Sequence, residues 1–121
     1  MGEKRPVVLV VDDELIIAMS SIEMFEEAGY EAVYASNADD AIRILEERSD
    51  IALVFTDIQM PGSMDGLKLA AAVRNRWPPI RLIVASGRFN PKPDELPDGA
   101  VFLPKPFDRR SVAESVRRAM A

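Results

Sequence analysis

Histidine and cysteine are both absent from the 121 residues. Their absence excludes an imidazole general base, a thiolate nucleophile, and the usual nitrogen and sulfur ligand sets of zinc and iron–sulfur centres. Long apolar runs are missing too: none reaches the ~18 to 20 residues of a membrane span, and no signal-peptide pattern opens the chain. Cations are in the minority, with 15 Lys and Arg against 20 Asp and Glu and a formal net charge of −5. That balance argues against a non-specific polyanion binder, because phosphate-backbone affinity comes from clustered cations. Of the basic pairs Arg109-Arg110 and Arg117-Arg118, the second is placed to complement a helix C-terminus. Chemistry is left to carboxylates, hydroxyls, Lys and Arg. The chain reads as one soluble, cytoplasmic domain over residues 1–121, with no direct nucleic-acid or membrane partner. Its length suffices to bury roughly two-thirds of the unfolded surface in one core.

What is present is an alternation of hydrophobic periods. Val7-Val8-Leu9-Val10-Val11, Ile51-Ala52-Leu53-Val54-Phe55 and Ile80-Arg81-Leu82-Ile83-Val84 read as strands, and two of them are continuously apolar, as central strands buried on both faces should be. Weaker strands are expected at residues 31–35 and 100–103. Between them the period becomes helical. Ala18, Met19, Ile22 and Phe25 line one stripe, stopped by Gly29; Ala38, Ala41, Ile42 and Leu45 line a second, opened by Ser36 with Asp39 three residues on. A third stripe is Leu69, Ala70, Val73 and Trp77, halted by Pro78-Pro79, and a fourth is Val112, Ala113, Val116 and Met120, capped by Asp108. Strand–helix alternation implies right-handed crossovers and a parallel sheet covered on both faces. The expected fold is α/β, doubly wound and flavodoxin-like, with five parallel strands in the order 2-1-3-4-5. Where another helix belongs, between Ser86 and Phe102, stand Pro91, Pro93 and Pro97. Prolines remove amide donors and disfavour helical geometry in the preceding residue, so at most one helical turn is expected there.

In a doubly wound sheet, ligands sit beyond the carboxyl ends of the strands. The residues ending the apolar runs are Asp12-Asp13, Asp57, Ser86-Gly87 and Lys105-Pro106. Singly, each has an ordinary explanation as a turn, a cap or surface decoration; together, at four strand ends, they form a constellation. Carboxylates converging on one rim repel, by about 4 kcal/mol for a pair at ~4 Å and an effective dielectric of ~20. Lys105 and a bound divalent ion are the candidates to offset this, and an all-oxygen donor set suits Mg²⁺, with Mn²⁺ as the alternative ion.

The motifs Val10-Val11-Asp12-Asp13-Glu14, Thr56-Asp57-Ile58-Gln59-Met60-Pro61-Gly62, Asp65-Gly66-Leu67, Ala85-Ser86-Gly87 and Phe102-Leu103-Pro104-Lys105-Pro106-Phe107 follow in this order. In these the sequence resembles the receiver domain of two-component response regulators, from Val7 to Met120. The resemblance implies that Asp57 is the phosphoacceptor, charged by a sensor histidine kinase or a histidine phosphotransfer protein. It further implies that Asp12, Asp13, Asp57 and the backbone carbonyl of Gln59 hold Mg²⁺, and that Lys105 and Ser86 each meet a phosphoryl oxygen. By the same resemblance the Lys105–Pro106 bond is cis, Ser86 and Phe102 form a switch, Gln59 and Arg88 tune the lifetime of the phosphorylated state, and Gly87 leaves the acceptor accessible. The implied protein is a regulator without turnover of an external substrate, acting on an output partner or as a homodimer.

Two departures stand out. The loop around Gly62-Ser63 is one residue longer than the common form, and the Pro-rich stretch with Phe89 replaces most of the fourth helix. Three other readings compete. A receiver-like interaction module that is never phosphorylated is countered by the intact Asp12, Asp13, Asp57, Ser86 and Lys105. An aspartate-nucleophile phosphatase would carry a second acid where Gln59 stands. A flavodoxin-type cofactor site needs a Ser/Thr/Gly-rich phosphate loop where Asp12-Asp13 stand. The chain stops just past the expected last helix, which fits a stand-alone receiver or one cut from a larger regulator.

Overall fold

In a computed structural model, which describes residues 5–62, 64–88 and 90–121, the alternation of periods becomes an alternation of elements. They are β1 (Val7–Val11), α1 (Leu15–Glu27), β2 (Glu31–Ala35), α2 (Ala38–Glu47), β3 (Ile51–Asp57), α3 (Gly66–Arg76), β4 (Arg81–Ser86), a 3-10 turn (Pro93–Glu95), β5 (Val101–Pro104) and α4 (Arg109–Met120). All strand pairings are parallel, and the order is β2-β1-β3-β4-β5, as the strand spacing implied. Ser63 of the longer loop and Phe89 of the Pro-rich stretch lie outside the described residues.

Period-two alternation divides the core into two layers. Val8 and Val10 of β1, Leu53 and Phe55 of β3, and Ile83 of β4 join Ala18 and Phe25 of α1 and Val112 and Ala119 of α4. Val7, Leu9 and Val11 turn the other way and pack with Ala41 and Leu45 of α2 and Leu69 and Val73 of α3. Phe25 is fully buried and meets Phe55 at 5.0 Å and Tyr30 edge-on at 6.2 Å. Phe55 in turn meets Phe107 edge-on at 5.7 Å, which ties the loop after β5 to the strand that ends in Asp57.

The helix ends follow local chemistry. Asp65 accepts from Lys68 N–H at 2.9 Å at the start of α3, and Asp108 accepts from Ser111 N–H at 2.9 Å at the start of α4. Gly29 takes φ 97°, open to glycine, just beyond the C-terminus of α1. The cap of α2 is Asn37 rather than Ser36: Asn37 has extended backbone and its Oδ1 accepts from Asp40 N–H at 2.8 Å, whereas the Ser36 hydroxyl bonds side chains alone, donating to Asp40 Oδ2 at 3.3 Å and accepting from Asn37 Nδ2 at 3.5 Å. The expected stripes also need correction. Met19 and Met120 are 59% and 40% exposed and Ala113 is exposed, while Ser21 and Ser115 are buried. Serine can enter the stripe because its short hydroxyl bonds back to the helix, as Ser21 does to the Ile17 carbonyl at 3.2 Å.

Among the described residues between β4 and β5, the 3-10 turn is the only helical element. The Lys92 N–H donates to Glu95 Oε1 at 2.8 Å, and Leu96 packs on the α2/α3 layer. The Arg74 guanidinium, from α3, donates to the carbonyls of Asp98 at 3.0 Å, Pro78 at 2.6 Å and Ile80 at 2.9 Å. One side chain thus fastens the Pro-rich strap to the end of α3.

Because Asn37 and not Ser36 satisfies a free amide of α2, Asn37→Ala is expected to cost about 1 kcal/mol. Ser36→Ala should stay within about 0.5 kcal/mol, with both changes read from urea unfolding midpoints.

Candidate functional site

β1, β3 and β4 finish at the same edge of the sheet, so their last residues converge. Asp12 and Asp57 are 2% and 7% exposed, Ser86 is 3% exposed, and Asp13 is exposed at the rim. The Lys105 ammonium lies 3.2 Å from Asp57 Oδ1 and 3.9 Å from Asp12 Oδ2. It is aimed there by a loop whose Lys105–Pro106 peptide is cis and whose Lys105 N–H donates to the Ser86 carbonyl at 3.0 Å. The ammonium, the two buried acids and Ser86 therefore share one scaffold.

Carboxylate oxygens of Asp12, Asp13 and Asp57 lie within 4.8 Å of one another. Burial pushes the Asp12 and Asp57 carboxyls above the usual carboxylate value, and the neighbouring acids add to this. Lys105 opposes it at both, the Glu14 amide opposes it at Asp12, and the Ile58 amide opposes it at Asp57. Three carboxylates against one ammonium leave two negative charges uncompensated. That deficit, with an all-oxygen donor set, fits a hard divalent cation. The Tyr34 phenol is likewise pushed up, by burial and by Asp12 and Asp13.

Asp13, Asp57, Gln59, Gly87, Arg88 and Lys105 line one cavity of about 360 Å³, together with Glu14 and Ile17. Gln59 and Arg88 thus border the same space as the Asp57 carboxylate. Ser86 and Phe102 share an adjoining cavity of about 410 Å³ with Arg88 and Lys105. The register puts Phe102 beside Val84 and Pro104 beside Ser86, so Phe102 and Ser86 stand on the same face of the sheet, two pleats apart. All the residues singled out from sequence are brought to this end of the molecule.

Three further residues shape the site through contacts that the sequence does not spell out, although Thr56 and Gly66 stand within its motifs. Gly66 opens α3 so close to β3 that a Cβ would fall 1.9 Å from the Asp57 carbonyl oxygen and 2.8 Å from Ile58 Cα, and its N–H donates to the Ile58 carbonyl at 2.8 Å. The Thr56 hydroxyl, fully buried, donates to the Asp57 carbonyl at 2.9 Å. The Tyr34 hydroxyl donates to the Asp12 carbonyl at 2.7 Å. Only the Tyr34 contact depends on strand pairing, which brings β2 beside the end of β1.

A doubly wound sheet with a buried acid pair, a rim carboxylate and an inward lysine at its carboxyl edge is the arrangement that the resemblance to receiver domains implies. The chain matches the family model described as response regulator receiver domain over residues 8–117 and belongs to that family. It is similar to the sensor kinase CckA of Brucella abortus (strain 2308), 32% identical over an alignment that covers 93% of this chain and 12% of that protein. It is also similar to the aerobic respiration control protein ArcA of Escherichia coli (strain K12), 34% identical over 98% of this chain and 50% of that protein. Among solved structures, the receiver domain of NtrX from Brucella abortus superposes with a TM-score of 0.83 at 32% identity, covering 93% of this chain and 97% of that one. The chain therefore spans half or less of the length of these two full-length relatives.

Two outcomes follow for the protein without metal. Asp57→Asn removes a charge that burial disfavours, so the unfolding midpoint at pH 7 should rise. A raised carboxyl weakens the fold as pH climbs through its folded-state pKa, so this gain should vanish once the pH falls below the ordinary value of 3.8. Gly66→Ala should lower the midpoint, because the Cβ must displace the backbone of Asp57 and Ile58.

Proposed function

We propose that this receiver domain accepts a phosphoryl group on Asp57 from the phosphohistidine of a sensor kinase or a histidine phosphotransfer protein. The observation that carries this is the Asp57 carboxylate at the end of β3, 3.2 Å from the Lys105 ammonium and within 4.8 Å of the Asp12 and Asp13 carboxylates. Asp12, Asp13, Asp57 and the Gln59 carbonyl would hold Mg²⁺, with Mn²⁺ as the alternative. When bound, the ion supplies charge neutralisation of the acids and of the phosphoryl oxygens.

An Asp57 carboxylate oxygen attacks phosphorus as the bond to the donor imidazole nitrogen breaks, giving an aspartyl phosphate and a free imidazole that takes a proton from water. Lys105, already paired with Asp57, transfers its hydrogen bond to a phosphoryl oxygen, and the Ser86 hydroxyl turns to another. Withdrawal of Ser86 makes room for Phe102 to rotate inward, which alters the β4–β5 face seen by an output partner. To carry such a switch from 1:99 to 99:1, the phosphoryl group must favour the active state by about 5.5 kcal/mol. Water reverses the modification by attacking phosphorus and releasing phosphate, and Gln59 and Arg88 control its approach. The domain acts as a regulator in the cytoplasm rather than as a catalyst of external turnover. Among the described residues no helix is long and apolar enough to cross a membrane.

Incubation with acetyl phosphate and Mg²⁺ should add the mass of one phosphoryl group, and Asp57→Asn should add none; labelling that survives Asp57→Asn would place the acceptor elsewhere. Intact mass is the suitable readout, since Trp77 lies beyond the 11 residues of α3, at ~1.5 Å per residue roughly 16 Å from the end that touches Asp57. Exchanging both Gln59 and Arg88 should change the dephosphorylation rate several-fold, measured by decay of the phosphorylated mass after donor removal.

A further inference from the structure

The acidic pocket depends on how two adjacent aspartates leave β1, and Asp12 is held at every polar group of its backbone. Its N–H donates to the Ala35 carbonyl at 3.2 Å, and its carbonyl accepts from the Tyr34 hydroxyl at 2.7 Å. Its side chain is held as well: Oδ1 accepts from the Glu14 N–H at 2.9 Å and Oδ2 lies 3.9 Å from the Lys105 ammonium. Two of these partners belong to β2, the edge strand next to β1. Tyr34 stands opposite Val10 in the β1–β2 register, and its half-buried ring packs on the layer under α1 and α4. From there its hydroxyl reaches past the end of β1 to the turn.

The carbonyl it holds is the one in the Asp12–Asp13 peptide. A peptide unit is planar, so fixing that oxygen also fixes the N–Cα bond of Asp13. Asp13 is exposed, so its direction of entry into the pocket is set by its backbone more than by packing. We propose that Tyr34 is a positioning residue for the divalent-cation site: by bonding the Asp12 carbonyl, its hydroxyl sets the peptide plane from which the Asp13 carboxylate enters the pocket. Edge strand β2 thereby takes part in a site to which it contributes no ligand. The inference rests on the reading of Asp12, Asp13 and Asp57 as a cation site. Partners one shell removed from a metal typically change its affinity by about 10- to 100-fold when lost.

The test compares the full chain, Tyr34→Phe and Asp13→Asn. Mg²⁺ binding is followed by titration calorimetry, and the Glu14 amide is followed by hydrogen exchange in metal-free buffer, where that N–H reports the closed turn. Tyr34→Phe keeps the ring and removes only the hydroxyl. It is expected to raise the Mg²⁺ dissociation constant about tenfold, to speed Glu14 exchange, and to leave the metal-free unfolding midpoint close to that of the parent. Unchanged Mg²⁺ affinity in Tyr34→Phe overturns the inference. So does a weakened affinity accompanied by a large fall in the metal-free midpoint, which marks general loosening. If the parent binds no Mg²⁺, or Asp13→Asn binds it as well as the parent, the cation-site reading fails instead. In that case faster Glu14 exchange in Tyr34→Phe upholds the hold on the turn, and unchanged exchange overturns it.

Discussion

Two carboxylates that would repel each other in a dry place are held on adjacent strands, with one ammonium between them. The Lys105 contacts to Asp57 and Asp12 are the interaction around which this end of the molecule is arranged. Desolvation works against the charged acids, so neither could be stranded there without compensation. The compensation depends on distant packing. Phe107 leans on Phe55, two residues before Asp57, and the Lys105 amide is fastened to the Ser86 carbonyl. Both contacts come from the loop that aims the ammonium. The electrostatics of the site is therefore set by aromatic burial and by one main-chain hydrogen bond. With one positive charge for three negative ones, the pocket is left attractive to a divalent cation and, with such a cation, to a phosphoryl group.

Much of this was legible in the chain itself. Five apolar runs with changing period define the strands and helices, because burial on both faces of β1 and β3 demands uninterrupted apolar sequence and burial on one face of a helix demands a stripe. The site residues were legible for a topological reason, since in a parallel sheet the ends of successive strands must meet. What escaped is what depends on pairing partners. Nothing near Tyr34 signals that its ring spans to the neighbouring strand's turn, and nothing near Gly66 signals that the Asp57 backbone lies where a methyl group would be. The misplaced details are of the same kind. Met19 was read as core because it is apolar, and Ser21 was passed over because it is polar, although a hydroxyl bonded to its own helix is buried at little expense. Asn37 displaced Ser36 as a cap because it is the last residue with extended backbone before α2 and its Oδ1 accepts from the Asp40 N–H.

The segment between β4 and β5 shows how a fold absorbs a stretch that cannot be helical. Prolines at 91, 93 and 97 forbid a ladder of amide bonds. The strap nonetheless satisfies much of its own backbone through the Lys92–Glu95 pairing, the short turn and the Ala100 N–H to the Pro97 carbonyl. Leu96 supplies a hydrophobic contact on the α2/α3 layer. The face that carries Ser86 and Phe102 is therefore bordered by a strap of low helical content, which gives the β4–β5 surface an outline different from that of a sheet flanked by a full helix.

Arg74 gives that strap a particular tolerance. Its three acceptors, at Asp98, Pro78 and Ile80, are all main-chain carbonyls. Every amino acid supplies such an oxygen, so the tether asks nothing of the side chains it binds. At Asp98, the acceptor that lies in the strap, any residue can supply the oxygen, while Glu95 and Leu96 hold the strap through their side chains and Arg74 itself has no substitute with the same fork of donors. Diversification of this surface is thus confined to one partner of the tether, and the other is left under the whole constraint.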